Sequence, residues 1–236
     1  MSGHTRRYDD ETPIAGGTGR RRARRRDDAE RMAFLDSIEP ADEGLIEEMG
    51  SRLRGDRRER GPERANAAWM DGPLDDWLDR LDEHRFDLDE DVMAALAVGM
   101  NETLSIRDAL ILSMVLDGEE CDRDVMMDII ARPHAPEVAA TVRDLMLGSL
   151  GEGRRPDMRR CRDGITMLSG MGLLVPHRMS AQPLASIAYI LWWLDDRRAP
   201  LYALRSLEAD DTCSLAALVL SAADHDVHPS GCFECG

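Results

Sequence analysis

From residue 66 onward the apolar positions recur with the period of an α-helix, and no stretch sustains the period-two alternation of a half-buried strand. In PLDDWLDRLDEH, Leu74, Trp77, Leu78 and Leu81 fall at i, i+3, i+4 and i+7, which predicts one apolar stripe. Asp75, Asp76, Asp79, Asp82 and Glu83 take the opposite face. TLSIRDALILSMVL is apolar nearly all round after Asp108, so that helix belongs at the centre of a core. Ser105 followed by Asp108 has the spacing of a capping box. DRDVMMDIIAR predicts a further helix, stopped by Pro133, and the next starts at Pro136 and carries Val138, Val142, Leu145, Met146 and Leu150. MRRCRDGITMLSGMGLL then sets Gly164, Ser169 and Gly172 where small residues let helices approach.

The pattern is clearest in QPLASIAYILWWLDDRRAPLYALRSLEADDTCSLAALVLSAADHDVHP, which predicts three helices at about residues 183–195, 198–209 and 212–224. Asp195-Asp196 ends the first. Ala199, Ala203, Leu204 and Leu207 make the inward stripe of the second, and Leu215, Leu218, Val219 and Ala222 that of the third. The expected fold is all-α, a single multi-helix domain of packed helical hairpins over residues 66–224.

The N-terminal third reads differently. Residues 1–31 hold almost no apolar side chains and six arginines among residues 20–26, a composition that predicts a disordered, Arg-rich arm. Residues 32–65 form a charged transitional segment in which MAFLDSI and LIEEMGSRL predict short amphipathic helices and RGDRRERGPER a loose connection. Residues 225–236 make a tail with histidines and cysteines.

Composition narrows the functional classes. Aromatics are 4% of the chain against 14 methionines, so the core is built from Leu, Ala, Ile, Val and Met, a mix suited to helices. The net charge of −16 argues against a general binder of nucleic acid or anionic membrane. All 30 basic residues are arginine, which excludes a P-loop lysine, a kinase lysine and a Schiff base to a carbonyl or pyridoxal phosphate. No apolar leader is visible, and the nearest approach to a membrane span, residues 184–194, is too short. The expected location is the reducing cytoplasm, without membrane attachment.

Two resemblances follow from the C-terminal residues. The helix–Asp-Asp–helix with small residues at packing positions looks like a tetratricopeptide-type hairpin, with Asp211 near the place of that pattern's terminal proline and no clear second copy. SIRDALILSM, MRRCRDGITML and the QPLASIAYILWWLDDRRAPLYALRSLEADDTCSLAALVLSAA run together resemble the C-terminal helical part of an actinobacterial family, domain of unknown function 4192, over roughly residues 71–231. That resemblance implies an all-helical fold and an actinobacterial source. The α/β region that usually comes first in the family is lacking, and the family brings no catalytic residues to carry over.

Candidate chemistry is sparse. His225, His228, Cys232 and Cys235 are zinc-ligand types at His-x-x-His and Cys-x-x-Cys spacing, with Pro229-Ser230-Gly231 as a reversal between the pairs. Only three residues separate the pairs, where familiar zinc fingers use about a dozen. The same cysteines could instead form a thiol–disulfide pair. Asp87-x-Asp89-x-Asp91 resembles the start of a calcium loop, but Val92 and Val98 stand where the turn glycine and the bidentate glutamate belong, so these aspartates are read as helix caps. Gly-Met-Gly at 170–172 lacks the preceding strand and third glycine of a dinucleotide fingerprint. No nucleophile elbow or metalloprotease motif occurs, so no catalytic residue is assigned.

Three features remain for binding. Adjacent Trp192 and Trp193 cannot both face one way on a helix, so one is a candidate anchor for a partner. Arg154, Arg155, Arg159, Arg160 and Arg162 form a basic patch, read first as pairing with the acidic residues 71–91 and second as a receptor for an acidic partner. The arginines at 20–26 could grip phosphates, against a solvated arm folded on the acidic surface. The leading expectation is a non-enzymatic cytoplasmic protein-interaction module without cofactor, its partner another protein. A metal-binding or thiol-redox regulator using the terminal cluster, with zinc as its cofactor, stands second, and nucleic-acid association through the arginine arm third.

Overall fold

A computed structural model describes residues 16–116, 121–151 and 156–227. These form eleven α-helices and one 3-10 turn, with no strand among the described residues. The helices are α1 (Gly16–Asp36), α2 (Glu43–Arg60), α3 (Pro62–Asp82), α4 (Glu90–Glu102), α5 (Leu104–Val115), α6 (Arg123–Ala131) and α7 (Pro136–Gly151). They continue with α8 (Met158–Leu174), the 3-10 turn His177–Met179, α9 (Ala181–Trp193), α10 (Ala199–Ala209) and α11 (Ser214–Asp224). The all-α class read from the periodicity is the observed one.

Helices α5 and α8 join the two halves of the molecule. On one side α3 packs against α2, α4 and α6; on the other α9 lies on α5 and α8 and carries the α10–α11 hairpin. The α3 stripe behaves as its spacing requires: Leu74, Trp77 and Leu81 are wholly buried, with Leu78 at the core's edge. Each such side chain contributes roughly 1.5–3 kcal/mol relative to an exposed one. The Trp77 indole N–H donates to Ser113 Oγ at 2.9 Å, and Ser113 donates in turn to the Leu110 carbonyl, so the buried ring leaves no polar atom stranded. Helix α5 is buried on nearly every face, as its all-round apolarity predicted, with Asp108 exposed.

Small residues set the closest approaches. A Cβ on Gly164 would lie 2.0 Å from Met114 Sδ, so α8 meets α5 at a distance only glycine allows. A Cβ on Gly170 would lie 2.9 Å from Ile38 Cδ1, which makes it the seat of the α1 end. Gly172 has only ordinary 3.9 Å neighbours, so of the glycines marked by the sequence pattern only Gly164 holds two helices together.

Several local expectations are corrected. The capping box at Ser105 does not form: the N-cap of α5 is Thr103, two residues earlier, and Ser105 Oγ instead donates to the Ile130 carbonyl at 3.0 Å, tying α5 to α6. Asp89 sits at the N-cap of α4 without a side-chain cap bond, while the Asp87 carboxylate pairs with Arg85 at 2.7 Å. The loose segment expected at residues 54–64 is the end of one long α2 and the start of α3, broken at Gly61, whose φ of 81° suits glycine. Arg54 and Arg57 explain why so charged a stretch stays helical. They reach the Glu102 side chain and its carbonyl, the latter at 2.8 Å, and so hold the C-terminal end of α4.

The boundary of the arm also moves. Residues 1–15 lie outside the described residues, but α1 includes residues 21–31, which composition alone assigned to an unstructured arm. A long-range anchor accounts for it. Arg31, on the second half of α1, pairs with Asp163 of α8, donates to Thr166 Oγ1 at 2.9 Å and to the Arg162 carbonyl at 3.2 Å, and stacks 4.5 Å over the Phe86 ring. Phe34 meets the same ring edge-on at 5.6 Å.

Candidate interaction surfaces

The α10–α11 hairpin departs from the expected packing at two leucines, while Leu207 and Leu215 pack against the core as predicted. On α10 the buried residues are Ala199, Ala203 and Ser206, and on α11 they are Ala216 and Val219. Leu204 and Leu218, read as inward, are 53% and 59% exposed, and Leu201 is 48% exposed. The physical reason lies in α9. Its packed face lets α10 approach through small side chains, and Ser206 Oγ donates to the Ala181 carbonyl at 2.7 Å, a contact a leucine at that position would prevent. Close approach on the small face turns the large face to solvent, since the two lie on opposite sides of one helix. Leu201, Leu204 and Leu218 thus share the outer surface of two adjacent antiparallel helices.

The exposed charges of the hairpin are mostly acidic, with Arg205 beside Leu204 as the exposed base on α10. Glu208, Asp211 and Asp224 are exposed, and Asp210 binds the Thr212 hydroxyl and amide, which hold its carboxyl below the ordinary carboxylate range. Where α10 meets the 3-10 turn, an open cleft of about 590 Å³ is lined by Asn101, Arg178, Met179, Leu207, Glu208, Asp210 and Asp211. Asn101 donates to the Met179 carbonyl at 2.9 Å and Arg178 pairs with Glu43, so the cleft wall is braced by hydrogen bonds between distant segments.

The tryptophans divide as the helix geometry requires. Trp193 is buried, 6% exposed, and packs against Tyr189, whose hydroxyl burial pushes above its ordinary pKa. Trp192 is half-buried, and its indole N–H donates to the Val227 carbonyl at 2.7 Å. Neither ring is a free anchor: Trp193 belongs to the core, and Trp192 fastens the chain after α11 back onto α9. A sequence argument could say that the two rings differ but not which was covered.

The basic patch on α8 is partly spent on the fold. Arg160 donates to the Ser113 carbonyl at 2.6 Å and pairs with Asp82 at the end of α3. That contact realises the pairing with the acidic 71–91 segment. Arg162 pairs with Asp27 at 2.7 Å and with Asp28, both on α1. Arg159 is exposed, and Arg154 and Arg155 lie outside the described residues.

Of the terminal cluster, His225 is described. It is exposed at the C-cap of α11, and its Nδ1 lies 2.8 Å from the Ser221 carbonyl. A proton on Nδ1 satisfies that contact and leaves Nε2 as the free lone pair. His228, Cys232 and Cys235 lie outside the described residues, and no group of three metal-binding side chains occurs among those described. Cys121, Cys161 and Cys213 are buried free thiols. Burial pushes the Cys121 thiol up to about 11 and the Cys161 thiol to about 12, away from nucleophilic reactivity at neutral pH. No described helix is long and apolar enough to cross a membrane.

No protein-family model matches the sequence, and comparison with curated proteins and with solved structures found no match.

Proposed function

We propose that this is a non-enzymatic, cytoplasmic helical interaction module, whose outer α10–α11 face receives an amphipathic helix of a partner protein. One observation carries the reading: the hairpin turns Leu201, Leu204 and Leu218 outward while it packs through Ala199, Ala203, Ser206 and Ala216. Single exposed leucines are ordinary, but three on two neighbouring helices of one hairpin are more than that, and exposed apolar surface of this kind marks binding sites. The excess of acidic over basic exposed side chains on the hairpin, Glu208, Asp211 and Asp224 against Arg205, favours a partner helix with basic residues flanking its apolar stripe.

The test compares the full chain with its Leu204→Glu/Leu218→Glu variant in quantitative pull-downs from the native host. Exposed substitutions leave the fold intact, checked by an unchanged thermal transition. Loss of a stoichiometric partner in the variant supports the reading, and a partner retained at equal yield overturns it.

A second reading, a metal-binding or thiol-redox regulator, is favoured by His225 alone. Metal-ligating histidines characteristically donate their other ring N–H to a carbonyl, as His225 can toward Ser221. Stoichiometric zinc in protein purified without an affinity tag, lost on Cys232→Ser, would replace the first reading with this one. Metal-free, fully folded protein whose cysteines do not cycle between thiol and disulfide removes it.

A further inference from the structure

We infer that the first half of α1 is a binding element for duplex DNA, held in the major groove and reading the phosphate backbone without sequence preference. Arg21, Arg22, Arg24, Arg25 and Arg26 are all exposed. Arg26 pairs with Glu30, and the other four have no carboxylate partner among the described residues. The charges also repel one another along the helix. Arg21–Arg25 and Arg22–Arg26 are like-charged i,i+4 neighbours, and no acidic residue occupies the first turn. An anionic ligand would relieve each of these conflicts at once.

The geometry selects the ligand. At about 100° per residue, the five arginines spread over roughly 200° of the helix circumference, so they reach outward on both flanks rather than along one stripe. That arrangement suits a helix lying between two phosphate walls and not one resting on a flat acidic surface. The rise from Arg21 to Arg26 is about 8 Å, a length over which duplex DNA carries about five phosphate charges. A helix about 10–12 Å across enters the roughly 12 Å major groove of B-DNA, whereas the major groove of duplex RNA is too narrow.

The acidic body does not cancel this element. The nearest described carboxylates on α1 are already engaged: Asp27 with Arg31 and Arg162, Asp28 with Arg162, and Glu30 with Arg26. Beyond about 8 Å, physiological salt screens the remaining negative charge. The second half of α1 is fixed to α8 through Arg31 and Asp163, and Phe34 seats on Phe86 and Gly170, so the arginine segment is presented on a rigid mount. This surface is separate from the α10–α11 face, and either assignment can fail without the other.

The experiment titrates the full chain into a fluorescein-labelled 20-base-pair DNA duplex and follows anisotropy from 50 to 300 mM NaCl. With four or five phosphates neutralised, the logarithm of affinity falls against the logarithm of salt with a slope of about −4. The variant carrying Arg21→Gln, Arg22→Gln, Arg24→Gln and Arg25→Gln loses at least tenfold in affinity at 50 mM and most of that slope, with its thermal transition unchanged. Absence of binding at 50 mM, or binding that the four substitutions leave intact, overturns the assignment. Competition by polyglutamate or duplex RNA as strong as by unlabelled DNA overturns it too, because the site would then be a general polyanion contact.

Discussion

Arg160 and Arg162 on α8 reach Asp82 and Asp27, whereas Arg21, Arg22, Arg24 and Arg25 on α1 reach no described carboxylate. Both clusters are short arginine runs in a strongly acidic chain, and sequence composition treats them alike. They part because of what each helix packs against. Helix α8 crosses the middle of the molecule, so its arginines meet the end of α3 and the flank of α1. Helix α1 is mounted at its second half, and among the described residues Arg21, Arg22, Arg24 and Arg25 of its first half meet no carboxylate. A charge cluster becomes structural or available according to the neighbours of its helix, not its own composition. Arg31 is the hinge of the comparison, since it belongs to the exposed helix yet pairs with a carboxylate that is 1% exposed.

The largest expected effect comes from breaking that hinge. Arg31→Ala takes the guanidinium from the buried Asp163 carboxylate, leaving the His84 ring 3.5 Å away as its nearest basic group, and should cost about 3 kcal/mol, read as a shift in the urea midpoint. Helical signal from α1 should fall with it, and unchanged stability would mean that α1 is not seated on Asp163. A smaller loss, about 1.5 kcal/mol, is expected for Arg160→Ala, which gives up a charged hydrogen bond to a backbone carbonyl in a half-buried position. Replacing Arg21, Arg22, Arg24 and Arg25 by glutamine should not lower the urea midpoint at all. If it did so as much as Arg160→Ala, the contrast between the two clusters would collapse.

The smallest effect concerns pH. Burial draws the Asp27 carboxyl upward, but Arg31, Arg162 and Arg159 outweigh it and hold it below the ordinary carboxylate range. A carboxylate depressed in the folded state adds stability above its unfolded value, near pH 4, and that stability is lost as pH falls through the folded value. Asp27→Asn should therefore be slightly less stable than the wild type at pH 7 and converge with it as pH falls below about 4. Stability curves that stay parallel across that range would show that Asp27 is not coupled to these arginines.

Much of the fold was legible because its signal is local. The period of Leu74, Trp77 and Leu81 marked α3, the all-round apolarity of residues 109–115 marked α5 as central, and Asp195-Asp196 marked the end of α9. Nothing local foretold Ser105 bonding to Ile130 rather than to its own helix, since that choice depends on a carbonyl 25 residues away. The α10–α11 face was the instructive miss. Periodicity grouped Leu204 with Ala203 and Leu218 with Val219, whose burial is the reverse of their neighbours'. A stripe of Ala and Ser opposite a stripe of leucine, as at residues 199, 203 and 206, was the signal that could have found it.

The sequence by itself determined the helical class, the three C-terminal helices and the exclusion of lysine-dependent chemistry, because periodicity and composition act within a few residues. Packing alone settled which face of α10 points outward, which tryptophan is covered, and which arginines meet no carboxylate among the described residues. Those outcomes depend on how closely two helices approach and on where a distant carboxylate falls. A one-dimensional pattern records neither distance.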